Sequence, residues 1–171
     1  MPDIQRGNVL LYTSSGKWYE ELIRLATHGP YVHASIALSP DTVIAATGQG
    51  IRKSPLQVDR TITPIDLTKY TTPERIEQAV AWAEMQAGKR YGWIDILYQA
   101  VKFLAPNNPL RFGEEDRWDC SDYATRYIQH AGVMLPDSFA DAYANTPNDL
   151  ARVFSLLPPR KGHVSEVVQH V

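Results

Sequence analysis

The first half of the chain alternates apolar and polar residues with the two-residue period of β-strands. Within residues 31–38, His33, Ser35 and Ala37 point to one side, and the residues between them point to the other. A Ser-Pro-Asp turn signal follows at 39–41. The strands from residue 31 onward read as a meander of about four antiparallel strands. The predicted strands cover residues 7–12, 31–38, 42–46, 51–58 and 61–67.

Apolar residues recur at the spacing of an α-helix in the remaining segments. The first of these is amphipathic, with Trp18, Leu22, Leu25 and Ala26 on one face. Because strands cluster in the first half of the chain and helices in the second, the predicted class is α+β. The predicted helices cover residues 17–27, 73–87, 93–104, 120–131 and 147–157.

Length and composition are those of an ordinary globular protein. With 171 residues, 44% of them hydrophobic and 21% charged, the chain is predicted to form a single domain over residues 1–171. The tail, 158–171, is predicted to be mobile or to add one more strand. A net charge of -2 gives no general attraction to nucleic acid or to anionic membrane. No apolar run approaches the ~18 residues of a spanning helix, so no integral membrane segment is expected.

The sequence also carries expectations about the cellular compartment. The polar start, Met1–Asn8, lacks the apolar core of a signal peptide, so synthesis in the cytoplasm is expected. Action outside the cell then requires lysis, a secretion machine that exports the protein as an effector, or a segment absent from this sequence. One cysteine excludes an internal disulfide and a Cys-rich zinc site.

Cys120, the only cysteine, lies where a loop-like run gives way to helical spacing, within residues 118–132. In the first turn of a helix, unpaired backbone N–H groups and the helix dipole favour thiolate over thiol. Asp119 or Ser121 is a candidate cap for that turn. A lone cysteine is also commonly a small buried hydrophobe, but polar neighbours such as Asp122 argue against an apolar slot. Cys120 is therefore a candidate nucleophile.

A thiol nucleophile needs a base, and five histidines are available. His130 would lie about 15 Å along the helix from Cys120, and two other histidines belong to the tail. His33 opens a strand, which is a rigid mount for a base, although a single histidine on an amphipathic strand is often only structural. A metal hydrolase that uses His28 and His33 lacks the carboxylate and the histidine spacing of zinc sites. No metal or other cofactor is therefore expected.

Two segments resemble a known family. Asp119-Cys120-Ser121, followed by residues 123–132, is similar to the Cys helix of the NlpC-type papain-like cell-wall peptidases. Residues 89–93 resemble the Gly-x-x-Tyr segment that precedes that helix. In ordinary members the His strand follows the Cys helix, whereas here His33 precedes it. This order resembles the circularly permuted branch, which includes YiiX/YebB-like hydrolases and relatives of lecithin:retinol acyltransferase.

The resemblance covers the order of elements over residues 6–152, and residues 146–150 look like a late segment of the YiiX-like group. It implies a circularly permuted papain-like fold. In that fold an antiparallel sheet or small barrel packs against helices, with the Cys at a helix N-terminus.

The resemblance also implies roles for individual residues. Cys120 is the expected nucleophile and His33 its base. The oxyanion is expected to bind at the helix start, at the backbone of Asp119 or Cys120, beside Ser121. Tyr91 matches a tyrosine that often lies beside the site in this family; its alternative role is that of a packed aromatic.

The sequence departs from the family at two places. Many permuted members carry Glu or His, which orients the imidazole, near the positions of Ala45 and Ala46. Thr47 or Gln49, a backbone carbonyl or a water would have to serve instead. Asp122 stands where the family usually has Gly, and its negative charge would raise the pKa of Cys120 slightly.

The expected function is that of a thiol hydrolase that cleaves an amide bond through a Cys-His dyad and an acyl-enzyme. The resemblance implies peptidoglycan stem peptides as the first substrate and a lipid or N-acyl amide, with hydrolase or acyltransferase chemistry, as the second. The apolar segment 93–104 would line an acyl pocket or belong to the core. A catalytically inactive binding domain on the same fold is the alternative from another class. The sequence leaves the oligomeric state open.

Overall fold

An antiparallel sheet forms the centre of the molecule in the computed structural model, which describes residues 2–89, 120–139 and 145–160. The five strands in that part of the chain have the spatial order β4-β3-β2-β1-β5. They run over Val9–Thr13 (β1), Tyr31–Ala37 (β2), Thr42–Thr47 (β3), Gly50–Pro55 (β4) and Ile62–Ile65 (β5). Each of the five predicted strands is therefore confirmed, within a few residues at its ends.

The predicted meander is confirmed only as far as β4. The last strand does not pair with β4 but crosses to β1, where Val9 pairs with Ile65 and Tyr12 with Ile62. The physical reason is that β1 is almost wholly buried along its length. A buried strand needs hydrogen-bonding partners on both edges, and β2 supplies only one of them.

Four α-helices belong to the described residues: Trp18–Ala26 (α1), Pro73–Met85 (α2), Cys120–His130 (α3) and Pro147–Leu156 (α4). Two short 3-10 helices cover Leu67–Lys69 and Asp137–Phe139. Thr72 caps the start of α2, where its side chain accepts a hydrogen bond from the Arg75 N–H. Gly132, with φ of 70°, follows α3 in the left-handed conformation that a helix end favours. The predicted helix 93–104 and the end of the tail lie outside the described residues. Across the described ranges, no helix is long and apolar enough to cross a bilayer.

One face of the sheet, called the helix-covered face, is covered by α2, α3 and α4. Val9 and Leu11 of β1, together with Ala34 and Ile36 of β2, pack with α2, α3 and α4 in the larger core cluster. The opposite face carries a smaller cluster, whose members are Ile4, Leu10, Tyr12, Ala37 and Val43. The expected α+β class, with an antiparallel sheet packed against helices, is therefore confirmed.

The orientation of α1 differs from what its apolar stripe suggests. Glu20 is buried and Ile23 and Thr27 are half-buried, so these residues form the inward face of the helix. The predicted apolar face points to solvent, and its large side chains are Trp18, Leu22 and Leu25.

Candidate functional site

The helix α3 lies antiparallel to α2 on the helix-covered face. Near its start the Tyr123 hydroxyl donates to the Ala83 carbonyl at 2.8 Å, in the second half of α2. Just beyond its end the Ala131 carbonyl accepts from the Thr71 hydroxyl at 2.6 Å, before α2 begins. Five residues at helical spacing are fully buried and form the inward face of this segment: Tyr123, Ala124, Tyr127, Ile128 and Ala131.

This placement brings the start of α3 to one particular end of the sheet. The C-terminal end of α2 hydrogen-bonds the start of β4, through Gly88 N–H to Ile51 O at 2.9 Å and Ile51 N–H to Lys89 O at 3.0 Å. Because α3 starts beside that end of α2, Cys120 lies toward the end of the sheet at which β4 begins. Cys120 is half-buried. His33, near the start of β2, belongs to the same end of the sheet, since β2 runs antiparallel to β3 and β3 antiparallel to β4.

The two predicted catalytic residues nevertheless belong to different faces. His33 pairs with Tyr12 across β1 and β2, and their ring centroids are 5.6 Å apart. Tyr12 is a member of the smaller cluster, on the face away from α3. The neighbours of His33 along β2, Ala34 and Ile36, are the ones that face the helices. The Cys120–His33 dyad therefore remains a prediction.

A β-bulge separates His33 from the residues before it. The register between β1 and β2 shifts after Tyr12, which leaves Val32 as the extra residue. Tyr31 consequently turns toward the larger core, where its hydroxyl donates to Thr63 at 3.0 Å. Asn148 clamps this point, because it accepts from the Tyr31 N–H at 3.0 Å and donates to the Tyr31 carbonyl at 2.8 Å. At the start of β2, Tyr31 therefore faces the larger core and His33 faces the opposite side of the sheet.

A buried ion pair lies beside His33. Arg60 donates to Glu20 at 3.2 Å, and the two side chains are 5% and 8% exposed. Glu20 also accepts from the Ser15 N–H at 2.6 Å. Burial pulls the pKa of Glu20 upward, but the hydrogen bonds from Ser15 and the charge of Arg60 outweigh it and lower the pKa. Within the described residues, the Arg60 Nε atom is buried and makes no hydrogen bond.

His33 is electrostatically held in its neutral form. Desolvation by the surrounding protein lowers the pKa of His33 to about 4, and the positive charge of Arg60 adds to this, while Glu20 opposes it. The adjacent Tyr12 hydroxyl shares a 2.8 Å hydrogen bond with Ser35. Burial raises the pKa of Tyr12. At neutral pH the cluster therefore offers an uncharged imidazole, an uncharged phenol and a guanidinium that is paired with a carboxylate.

The residues expected to orient His33 have other hydrogen bonds. Continuing the register of Ile36 with Ile44 places Thr47 opposite His33. The Thr47 hydroxyl, however, donates to the Gly50 carbonyl at 2.9 Å within the β3–β4 turn. Gln49 is exposed and accepts from Arg52 through its amide oxygen. Neither residue is therefore shown in contact with the imidazole.

Of the residues expected to lie at the oxyanion site, only some belong to the described part of the chain. Asp119 and Tyr91 lie outside the described residues. Ser121 is 3% exposed, so its side chain belongs to the buried face of α3. Asp122 is paired with Arg126 one turn later, at 2.9 Å. This pairing compensates the negative charge that was expected to act on Cys120.

Sequence reasoning missed Glu20 and Arg60. The only signal for Glu20 was geometric, since it lies two residues from Trp18 and hence on the opposite side of the helix from the apolar stripe. Arg60 stands in a loop between Asp59 and Thr61 with no pattern that distinguishes it. The pair joins residues far apart in the chain, which no local pattern reports.

A separate cleft of about 230 Å³ opens on the helix-covered face between β5 and α4. It contains neither a thiol nor an imidazole, so it is not a second candidate for the chemistry above. Its lining residues are Leu11, Tyr31, Thr63, Pro64, Ile65, Asp66, Lys69, Tyr70, Ala151, Phe154 and Ser155.

Neither a metal-ligand cluster nor a match to a known protein adds to the description of the site. Over the part of the chain that the structure describes, no group of three or more His, Cys, Asp or Glu side chains is arranged to hold a metal ion. No protein-family model matches the sequence, and a search of curated proteins finds no significant match.

Proposed function

We propose that the protein is a thiol hydrolase, in which Cys120 attacks an acyl carbonyl and His33 transfers the proton. Part of the proposal is that Cys120 occupies the first turn of α3 and that the chain has the circularly permuted papain-like arrangement. The observation that carries it is the common position of the two residues at one end of the sheet, with Cys120 accessible in part.

The reaction follows from the chemistry of the two groups. The Cys120 thiol gives its proton to the neutral imidazole of His33 as sulfur bonds to the carbonyl carbon. The tetrahedral intermediate collapses, the C–N bond breaks, and the imidazolium returns the proton to the leaving amine. Water then attacks the thioester with His33 as base, which releases the acid and restores the thiol. N–H groups of the first turn of α3 would stabilise the oxyanion.

The neutral state of His33 supports this role only in part. An imidazole with a pKa of about 4 is free to accept a proton at pH 7, but it is a weak base for a thiol. The proposal therefore requires the ring to turn from Tyr12 toward the end of the sheet when substrate binds. Leaving the desolvated environment beside Arg60 would raise the pKa of His33 and strengthen it as a base.

One observation favours a second candidate, a catalytically inactive binding domain. The His33 ring packs against Tyr12 on the face away from α3. Ala45, at the position where the permuted relatives carry an orienting acid or histidine, offers no polar group. In this alternative the imidazole serves the packing of the sheet.

Thiol alkylation distinguishes the two candidates. The hydrolase predicts that iodoacetamide modifies Cys120 at pH 7 about tenfold or more faster than a free cysteine, because the thiolate fraction is raised. His33→Ala should remove the excess rate. His130→Ala is the matched control, since His130 lies in α3 but stacks on Trp82 with centroids 4.0 Å apart. A rate equal to that of free cysteine, unchanged in His33→Ala, supports the inactive domain.

The substrate is tested by digestion of purified peptidoglycan and, in parallel, of a panel of N-acyl amides and esters. Wild-type protein and Cys120→Ala are compared under the same conditions. The proposal expects product from at least one class with wild type and none with Cys120→Ala. Equal product from both proteins would exclude Cys120 as the nucleophile.

A further inference from the structure

The cleft between β5 and α4 contains two opposite charges that are not paired with each other. Asp66 and Lys69 both line it, three residues apart across the 3-10 helix Leu67–Lys69. Side chains at that spacing in a 3-10 turn lie on the same side of the chain. Over the described residues, no ion pair includes either side chain. The cleft therefore presents a carboxylate and an ammonium that are both available to a ligand.

The Asp66 carboxylate is fixed in place and keeps one oxygen for a ligand. Its Oδ1 atom accepts from the Thr68 N–H at 2.9 Å and from the Thr68 hydroxyl at 2.6 Å. Within the described part of the chain, no donor binds Oδ2. Burial raises the pKa of Tyr70, and the negative charge of Asp66 adds to this, so the carboxylate lies close to that hydroxyl. A cationic group could bind Oδ2 there without disturbing the cap.

The rest of the cleft is largely aromatic and apolar, and its rings are held by hydrogen bonds of their own. Tyr70 and Phe154 meet edge to face with ring centroids 5.0 Å apart, and the Tyr70 hydroxyl donates to the Phe154 carbonyl at 3.2 Å. The Tyr31 hydroxyl is likewise held by Thr63, at 3.0 Å. The fully buried Leu11 completes the apolar lining. A preformed apolar cleft with a few placed polar groups is typical of a small-molecule site.

Size and charge together select the class of ligand. A volume of about 230 Å³ lies below the ~300–1,000 Å³ of sites for drug-sized ligands, so the cleft is too small for a nucleotide or a peptide. Asp66 would repel a phosphate or a simple carboxylate, and Lys69 would repel a simple amine. A small zwitterion satisfies both charges at once. The aromatic rings favour an aromatic group on the same molecule.

We propose that this cleft binds a free α-amino acid with an aromatic side chain. The ligand's ammonium contacts Asp66 Oδ2, its carboxylate contacts the Lys69 ammonium, and its ring packs against Tyr70 and Phe154. The cleft lies on the helix-covered face, whereas His33 packs with Tyr12 on the opposite face. Binding there requires no part of the thiol chemistry, so Cys120→Ala should bind the amino acid as the wild type does.

The test is an NMR titration of the isotope-labelled full chain with phenylalanine, followed through the backbone amides of Lys69, Tyr70 and Phe154. Phenethylamine and hydrocinnamate, which lack the carboxylate and the ammonium of phenylalanine respectively, are titrated in parallel. Each should bind about tenfold or more weakly than phenylalanine, because one charge-assisted contact is lost and one protein charge is left without a partner.

Two substitutions assign the charges. Asp66→Asn retains a side chain that can cap the 3-10 helix, and it should weaken the binding of phenylalanine and of phenethylamine about tenfold but not that of hydrocinnamate. Lys69→Met keeps an apolar stem, and it should weaken the binding of phenylalanine and of hydrocinnamate but not that of phenethylamine. Lys17→Met is the matched control, since it removes an exposed lysine at the start of α1, and it should bind as the wild type does.

Three results would overturn the proposal of an amino-acid site. They are unchanged cleft amides at about 10 mM phenylalanine, binding of phenethylamine or hydrocinnamate as tight as that of phenylalanine, and equal affinity for phenylalanine in the wild type and both variants. If either variant fails to fold, the comparison of the three ligands on the wild type still decides. Binding in Cys120→Ala equal to that of the wild type supports a site separate from the thiol.

Discussion

Protonation of His33 is expected to destabilise the fold, and the perturbation that reveals it is acidification from pH 7 to pH 4. The ordinary pKa of 6.5 is lowered to about 4 by desolvation and by Arg60. Between these values the unfolded chain binds a proton that the folded chain does not, so stability falls as the pH falls. Above pH 6.5 the ring is neutral in both states and contributes no slope.

The magnitude follows from the width of that window. A pKa lowered from 6.5 to about 4 corresponds to about 3 kcal/mol, at about 1.4 kcal/mol for each pKa unit. Other groups titrate in the same range, and Glu20 in particular loses its stabilising charge as the pH falls through its lowered pKa. The contribution of His33 is therefore the difference between the wild type and a variant that lacks the imidazole.

The assay is urea denaturation of wild type and His33→Gln at several pH values from 7 to 4.5. Between pH 6 and pH 4.5 the wild type should lose about 2 kcal/mol more of its unfolding free energy than the variant. His28→Asn, which removes an exposed histidine at a φ of 50° that asparagine tolerates, is the matched control variant. Equal slopes in wild type and His33→Gln, or an NMR titration of His33 centred near 6.5, would refute the reasoning.

Three further substitutions test the packing around the candidate site. Arg60→Met leaves the Glu20 carboxylate buried without its partner and should lower the unfolding free energy in urea denaturation by about 3 kcal/mol. Glu20→Gln in the same chain should restore a large part of that loss, and no recovery in the double variant would count against the ion pair. Asn148→Ala removes the clamp on the start of β2 and should cost about 2–4 kcal/mol, so a loss under 1 kcal/mol would contradict the clamp. Gly7→Ala forces a Cβ into the Ile76 side chain at φ of 89° and should lower the melting temperature, whereas Gly16→Ala, with open space around it, should lower it less.

The elements that the sequence predicts well are those decided by nearby residues. The helix after Thr72 and the buried face of α3 both follow from the recurrence of apolar side chains within a few residues. The alternation along β2 likewise predicts that His33 and Ser35 share a face. Such patterns are local, and the structure retains them.

What sequence patterns cannot supply is the choice among partners that lie far away in the chain. The stripe of α1 predicts a helix but not its rotation, which the Glu20–Arg60 pair sets from a loop beyond β4. The pairing of β5 with β1 depends on which edge of the sheet remains open. Alternation along β2 likewise leaves undecided which face α2 and α3 cover, and that choice separates His33 from α3.

The position of β1 has a consequence for how the chain is assembled during synthesis. β1 is synthesised before the other four described strands, yet it ends between β2 and β5. Just before it, the Gly7 carbonyl accepts a hydrogen bond from the Tyr127 hydroxyl of α3. The second edge of β1 therefore stays unpaired until β5 has been synthesised, and its contact with α3 cannot form until residues 120–130 have followed. Until then a strongly apolar strand remains without its full cover, so the nascent protein is most exposed to aggregation before α3 has been translated.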